Sequence, residues 1–97
     1  MRKHEALARL RANAGTIRAL GARSLYLFGS TARDEARRDS DVDLFVGDYD
    51  EGFTAIVLVR LRDRVGALLG AEADVTTRGG LHPLVRDELV ASAERVF

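Results

Sequence analysis

Apolar residues recur at spacings of three and four from Leu7 through Leu10, Ala14 and Ile17, which places them on one face of a helix. The spacing predicts a helix over residues 2–20 with Gly21 as its stop, and Gly15 as a weak point inside it. Residues 24–28, Ser-Leu-Tyr-Leu-Phe, form a short β-prone run that ends at Gly29. Ser30 is placed to N-cap a short helix running to Ala36. Residues 42–46, Val-Asp-Leu-Phe-Val, read as a second strand ended by Gly47. Residues 52–69 read as a long helix ended by Gly70. Its start, Phe53 to Val59, is apolar nearly all round, so it is expected in the core or against a partner, the core being favoured. Ala73 to Thr77 reads as a third strand and Gly79-Gly80 as a turn. Leu81 to Ala93 reads as a last helix that tolerates Pro83 in its first turn. Arg95-Val96-Phe97 is either a short strand or a frayed end. The order α-β-α-β-α-β-α predicts an α/β or α+β sandwich of helices on a small sheet.

Composition narrows the class. With 97 residues, 46% of them hydrophobic, the chain is expected to be one domain, 1–97, with a real core and no deep interdomain cleft. Fifteen basic residues balance fifteen acidic ones. That balance argues against global attraction to nucleic acid or an anionic membrane and leaves a local charged site open. The absence of cysteine excludes disulfides, thiolate metal sites and cysteine nucleophiles, and favours the cytosol. The N-terminal MRKHEALARLRAN has no apolar run of the signal-peptide kind. The longest aliphatic stretch, Ala55 to Val59, is far short of the roughly 20 residues that span a bilayer. A soluble, cytoplasmic protein is expected.

The chemistry concentrates in Gly29-Ser30-Thr31-Ala32-Arg33 and Asp41-Val42-Asp43. Side chains alternate along a strand, so Asp41 and Asp43 share a face while Val42 and Leu44 enter the core. Two adjacent carboxylates repel unless a proton or cation sits between them. Their spacing suits a hard divalent cation such as Mg²⁺, which takes carboxylate and phosphate oxygens. Asp74 repeats the pattern on the next strand. Three carboxylates from two adjacent strands would hold two Mg²⁺ ions roughly 3.5–4 Å apart. Upstream, Gly29-Ser30 sits where a strand turns into a helix. Glycine permits close backbone approach, and free N–H groups at a helix start attract phosphate. Ser30 adds a hydroxyl, and Arg33 lies one turn on. Phosphate donors therefore stand beside metal-binding acids, as nucleoside triphosphate chemistry requires.

Gly-Ser, ten residues, then Asp-x-Asp resembles the signature of nucleotidyltransferases of the polymerase-β superfamily. The stretch GSTARDEARRDSDVDLFV is most similar to the minimal nucleotidyltransferase (MNT) group, and the resemblance continues through LGAEADVTTRGGLHPLVRDELVASAERVF, over residues 24–97. It implies an α+β (α/β) fold: a small mixed β-sheet with helices packed on one face around a polymerase-β-like core. It implies that Asp41 and Asp43 hold both metals and Asp74 the catalytic one. Gly29, Ser30, Arg33 and Ser40 then bind the nucleotide phosphates. Members of this size act as antitoxins that transfer AMP from ATP to a tyrosine hydroxyl of a HEPN-domain toxin. One departure stands out: the group often has Gly after Ala-Arg, and here Asp34 occupies that place. An added negative charge there either weakens nucleotide binding or points to solvent. If it weakens it enough, the chain is an antitoxin that neutralises its toxin by binding alone.

Plainer readings stand beside these. The run Asp39-x-Asp41-x-Asp43 hints at a calcium loop, which needs Gly at its sixth position, where Leu44 stands. Arg37 and Arg38 read as a solvated turn or as phosphate-neutralising cations. His4 and His82 lack ligand-spaced neighbours and read as surface or packing residues. Zero net charge and the lack of an aromatic-basic groove speak against nucleic acid as the main ligand.

Overall fold

Leu25 and Leu27 are fully buried, while Tyr26 and Phe28 between them are half-buried. This alternation makes Leu25–Phe28 a strand, β1, with one face in the core. In the computed structural model, which describes residues 1–97, three further strands join it: β2 (Val42–Val46), β3 (Ala73–Thr77) and β4 (Glu94–Arg95). The sheet order is β3-β2-β1-β4, with β1 antiparallel to β2 and β4, and β2 parallel to β3. The sheet is therefore mixed. A parallel pair needs a crossover rather than a hairpin, and the helix Ala55–Leu69 supplies it.

The core lies between one face of this sheet and the long helices. Leu7 and Leu10 come from α1 (Lys3–Ala12) and Ile17 from α2 (Ala14–Ala19). After the four-residue α3 (Gly29–Ala32), the crossover helix is α4, and it contributes Leu61, Val65 and Leu69 at four-residue spacing. They meet Leu25, Leu27, Val42, Leu44, Val46 and Val75 of the sheet. No helix is long and apolar enough to cross a membrane.

Several elements differ in detail from the sequence reading. The first helix is two, because the Asn13 side chain donates to the Arg9 carbonyl at 2.8 Å. That carbonyl would otherwise take the Asn13 backbone N–H of a continuous helix. The α4 helix starts late, where the Thr54 hydroxyl accepts the Val57 N–H. Its apolar start is not enclosed: Ile56 is 68% and Val59 46% exposed. The sheet covers only one side of α4, and these two residues fall on the other. The last helix, α5 (Arg86–Ser92), is shorter than expected. The turn expected at Gly79-Gly80 is a 3₁₀ turn, Arg78–Gly80, tied by Arg86, whose guanidinium donates to the Gly79 and Leu81 carbonyls. The chain end is not frayed: β4 covers Glu94–Arg95, and beyond it the Val96 N–H donates to the Leu25 carbonyl at 2.8 Å.

The other face of the sheet carries a different set. Strand register places Phe28, Asp43 and Asp74 in one row across it, and Arg95, Tyr26, Phe45 and Thr76 in the next. Phe45 is fully buried here. Its ring stacks on Tyr26 at 4.9 Å and leans on Phe28 at 5.7 Å.

Candidate active site

Asp43 is the centre of the first row. It pairs with Phe28 across the antiparallel ladder and with Asp74 across the parallel one. The Val-Asp-Leu alternation of β2 forces this, since Val42 and Leu44 are buried on the core side. Its carboxyl is held above the usual aspartate range, first by burial, then by the charges of Asp74 and Asp41. Arg33 acts in the opposite sense. Asp74 is exposed on the edge strand β3, and Asp41 is exposed just before β2. The structure thus pairs Asp43 with Asp74, while Asp41 precedes β2 and acts on Asp43 through its charge.

Gly29 follows β1 directly and has φ of 71°. A Cβ on it would overlap the Asp43 carboxylate, lying 3.2 Å from its Cγ and closer still to Oδ2. Backbone of the β1–α3 junction therefore touches the central acid. The α3 helix has only four residues, so it offers the N–H groups of a single turn rather than a substantial dipole. Ser30 is half-buried in that turn. Arg33 is exposed and donates to Glu35 at 3.0 Å. Ser40 accepts the Arg37 N–H at 2.9 Å, which closes the loop before Asp41 and leaves its own hydroxyl hydrogen free to donate.

Asp34 is turned away from this face. Its φ of 56° lies in the left-handed region, which explains why glycine suits the position. Its Oδ1 accepts the backbone N–H of Lys3 at 2.8 Å. No side chain of Arg2, the N-cap residue of α1, fills that role. Asp34 is the cap of α1, supplied from 31 residues away. That bond, and the cations Arg2, Lys3 and His4, hold its carboxyl below the usual aspartate range.

No three acidic or histidine side chains lie close enough to cage an ion by themselves. The donor set still fits Mg²⁺, which is typically bound by one or two carboxylates together with substrate phosphates and water. All donors are oxygens, and the like charges at Asp43 lack a counter-cation close enough to cancel them. The three surface hollows of the molecule are lined by other residues. The acidic row is an open face, not a pocket.

The sequence pattern of the nucleotidyltransferase domain matches residues 14–96, which takes in the β1–α3 junction and all three acids. The chain belongs to this family. A Methanocaldococcus jannaschii protein named as a candidate protein adenylyltransferase is 38% identical over 77 residues, 79% of this chain and 82% of that one. The solved structure of a candidate minimal nucleotidyltransferase superposes with a TM-score of 0.82 at 36% identity, covering 97% of this chain and 95% of that one. A chain from the structure of a tri-AMPylated Shewanella oneidensis HEPN toxin in complex with an MNT antitoxin superposes with a TM-score of 0.65 at 16% identity. That match covers 94% of this chain and 71% of that one, and at such identity it shows the fold. The α+β minimal nucleotidyltransferase fold expected from the motif is the one observed, and the protein is a nucleotidyltransferase.

Two residues of this nucleotidyltransferase's acidic face were not singled out by sequence. Arg78 reaches back from the 3₁₀ turn and holds its guanidinium over Tyr26 and Phe45, 5.6 and 5.9 Å from their ring centres. Arg95 lies 5.8 Å from the Tyr26 ring. The alternation of β1 marks Tyr26 as facing away from the core, but nothing local says which cations cover it.

Proposed function

We propose that this chain transfers AMP from ATP to a tyrosine hydroxyl of a HEPN-type toxin in the cytoplasm, and so acts as its antitoxin. The observation that carries this is the Asp43–Asp74 register pair beside the Gly29 backbone, in a chain similar to named protein adenylyltransferases and to an MNT antitoxin. The open face supports a protein acceptor. It lacks walls to grip a small acceptor, so a partner is needed to close it.

In this reading the Gly29 and Ser30 N–H groups and the Ser30 hydroxyl donate to phosphate oxygens of the triphosphate. Arg33 and Ser40 add charge and a donor at the same end. Asp41 and Asp43 would hold both Mg²⁺ ions and Asp74 the catalytic one. When bound there, Mg²⁺ neutralises the charge that develops on the reacting phosphate. The tyrosine oxygen bonds to the α-phosphorus in line as its proton passes to water, the bond to pyrophosphate breaks, and pyrophosphate leaves with the electron pair. The protein's part is positioning and charge compensation.

The reading in which Asp34 spoils the site and the chain only occludes its toxin gains no support from the geometry, because that carboxylate is bonded to α1. The test is the intact mass of the HEPN-type partner after incubation with ATP and Mg²⁺. AMP increments with the wild type, absent with Asp41→Asn/Asp43→Asn, are expected. A partner that is inhibited but unmodified in a stable complex overturns the enzyme reading.

A further inference from the structure

The row of side chains beside the acids is a built cationic feature. Arg95, Tyr26, Phe45 and Thr76 lie one step along the strands from Phe28, Asp43 and Asp74, about 7 Å away. The Arg78 guanidinium lies over both rings of this row and that of Arg95 over Tyr26. Neither meets a carboxylate: the ion pairs of the chain use Arg9, Arg23, Arg33 and Arg62. Arg78 Nε is buried without a partner. Gly47 makes the room, since a Cβ there would stand 3.0 Å from Arg78 Nη2 and 2.8 Å from the Tyr26 ring. Ring contact and the path cleared at Gly47 hold the Arg78 guanidinium in place, and Arg95 stands exposed beside Tyr26.

Their side of the face is the informative point. On the reading above, pyrophosphate leaves at Gly29–Ser30, beyond Phe28 at the end of β1. In-line attack enters opposite the leaving group. The Arg95–Thr76 row lies on the side of the acids away from Gly29. On that reading the attacking hydroxyl comes from the side of the face on which Arg78 and Arg95 lie.

We propose that Arg78 and Arg95 form an acceptor-recognition subsite for an anionic oxygen group that a polypeptide acceptor carries beside its hydroxyl. A glutamate or aspartate carboxylate and the phosphodiester of a side chain already bearing AMP present the same chemistry to a guanidinium fork. The arginines exchange no proton. They bring the hydroxyl oxygen onto the α-phosphorus, pyrophosphate leaves as above, and the hydroxyl proton passes to water. The subsite rests on the assignment of the phosphate end to Gly29–Ser30.

The test uses the full chain with a non-hydrolysable ATP analogue, Mg²⁺ and three synthetic peptides at low salt. Each peptide has one tyrosine: one flanked by glutamates, one by glutamines, and one flanked by glutamines with AMP on the tyrosine. Titration calorimetry reads the affinities. At least one anionic peptide is expected to bind about tenfold tighter than the glutamine peptide. Which of the two does so names the source of the anion. Arg78→Met/Arg95→Met is expected to erase that ratio while leaving affinity for the nucleotide unchanged. Equal binding of all three by the wild type, or a ratio that survives in the variant, overturns the subsite. So does tighter, arginine-dependent binding of an RNA oligonucleotide, which would assign the cations to nucleic acid. Parallel reactions with ATP separate the two readings. Arginine-dependent binding without AMP transfer sinks the transfer reaction and keeps the subsite. Transfer to the two peptides with a free tyrosine hydroxyl at equal efficiency does the reverse.

Discussion

The backbone of Gly29 is in contact with the carboxylate of Asp43, so closely that no side chain fits between them. The strand-to-helix turn and the central acid of the acidic face are thus one unit. Gly29→Ala is strained twice, by its φ of 71° and by the collision. The collision pushes the Asp43 carboxylate off the sheet. A displacement of about 1 Å at a reacting centre can cost about a hundredfold in rate. Stability falls by about 1–3 kcal/mol from the left-handed backbone alone. The transfer rate of Gly29→Ala is expected to drop at least to that extent, with a smaller fractional loss in denaturation midpoint. An active Gly29→Ala enzyme would falsify the coupling of turn and acid.

Asp43 and Asp74 face each other as register partners, with Asp41 near enough to add its charge. Without substrate this arrangement is destabilising. Asp43→Asn removes one of the repelling charges from a partly buried place. It is expected to abolish transfer and yet raise unfolding free energy by about a few tenths of a kcal/mol, the repulsion being screened at a half-open site. Urea denaturation of wild type and variant decides it. A clear loss of stability would mean that the carboxylate supports the fold, contrary to the role proposed for it.

Asp34 shows what the sequence could and could not disclose. Its departure from the glycine that the resemblance implies is legible in the sequence, and so is its charge. Its left-handed backbone and its bond to Lys3 N–H are not, because they depend on how α1 crosses the turn. The Asp-x-Asp alternation, by contrast, fixed the face of Asp43 at once, since period two admits no other arrangement. Asp74 joined it as soon as β3 was aligned. The exposure of Ile56 and Val59 was missed for a related reason. Hydrophobicity all round a helix does not say which side the sheet covers. Arg78 escaped notice because the 3₁₀ turn that re-aims it is set by Arg86, eight residues further along the chain.

A cap that is a carboxylate leaves a pH signature. The Asp34 carboxyl is held below its ordinary value in the folded chain, about 3.9 in an unfolded one. A depressed folded value means stability that is fully present above the unfolded value and is lost as pH falls through the folded one. Wild type is therefore expected to lose melting temperature below about pH 4 more steeply than Asp34→Asn. At neutral pH the order of stability should be wild type and Asn above Gly, and Gly above Ala. Asn keeps both an acceptor oxygen and tolerance of the left-handed backbone, Gly keeps only the latter, and Ala neither. Thermal melts from pH 3 to 7 test the series. If Ala matches wild type, the bond to Lys3 contributes nothing.

The exposed Ile56 and Val59 give a contrasting case. Substitutions of surface residues away from special features shift stability by about 0.5 kcal/mol or less. Ile56→Gln/Val59→Gln should melt within that margin of wild type. Phe45→Ala, at a fully buried position on the reaction face, is expected to cost about 3–5 kcal/mol. A double glutamine variant that unfolds would restore the buried reading of this helix start.

Because no three acids cage an ion unaided, metal and nucleotide should bind as one ligand. Mg²⁺ alone would then raise the melting temperature little, since open carboxylates and water without phosphate hold it weakly. ATP alone would also bind weakly, facing the Asp41, Asp43 and Asp74 charges without compensation. Together each supplies what the other lacks: phosphate oxygens complete the metal's coordination, and the metal cancels the repulsion between phosphates and acids. A ligand at a hundred times its dissociation constant stabilises by about 2.7 kcal/mol, a shift of many degrees for a chain of this size. Thermal shift with Mg²⁺, ATP and both is expected to show a response to the pair well beyond the sum of the two single responses. Chelation should abolish it, and so should Asp43→Asn. Additive responses would mean that the acids and the Gly29–Ser30 turn bind independently, and the shared site would have to be given up.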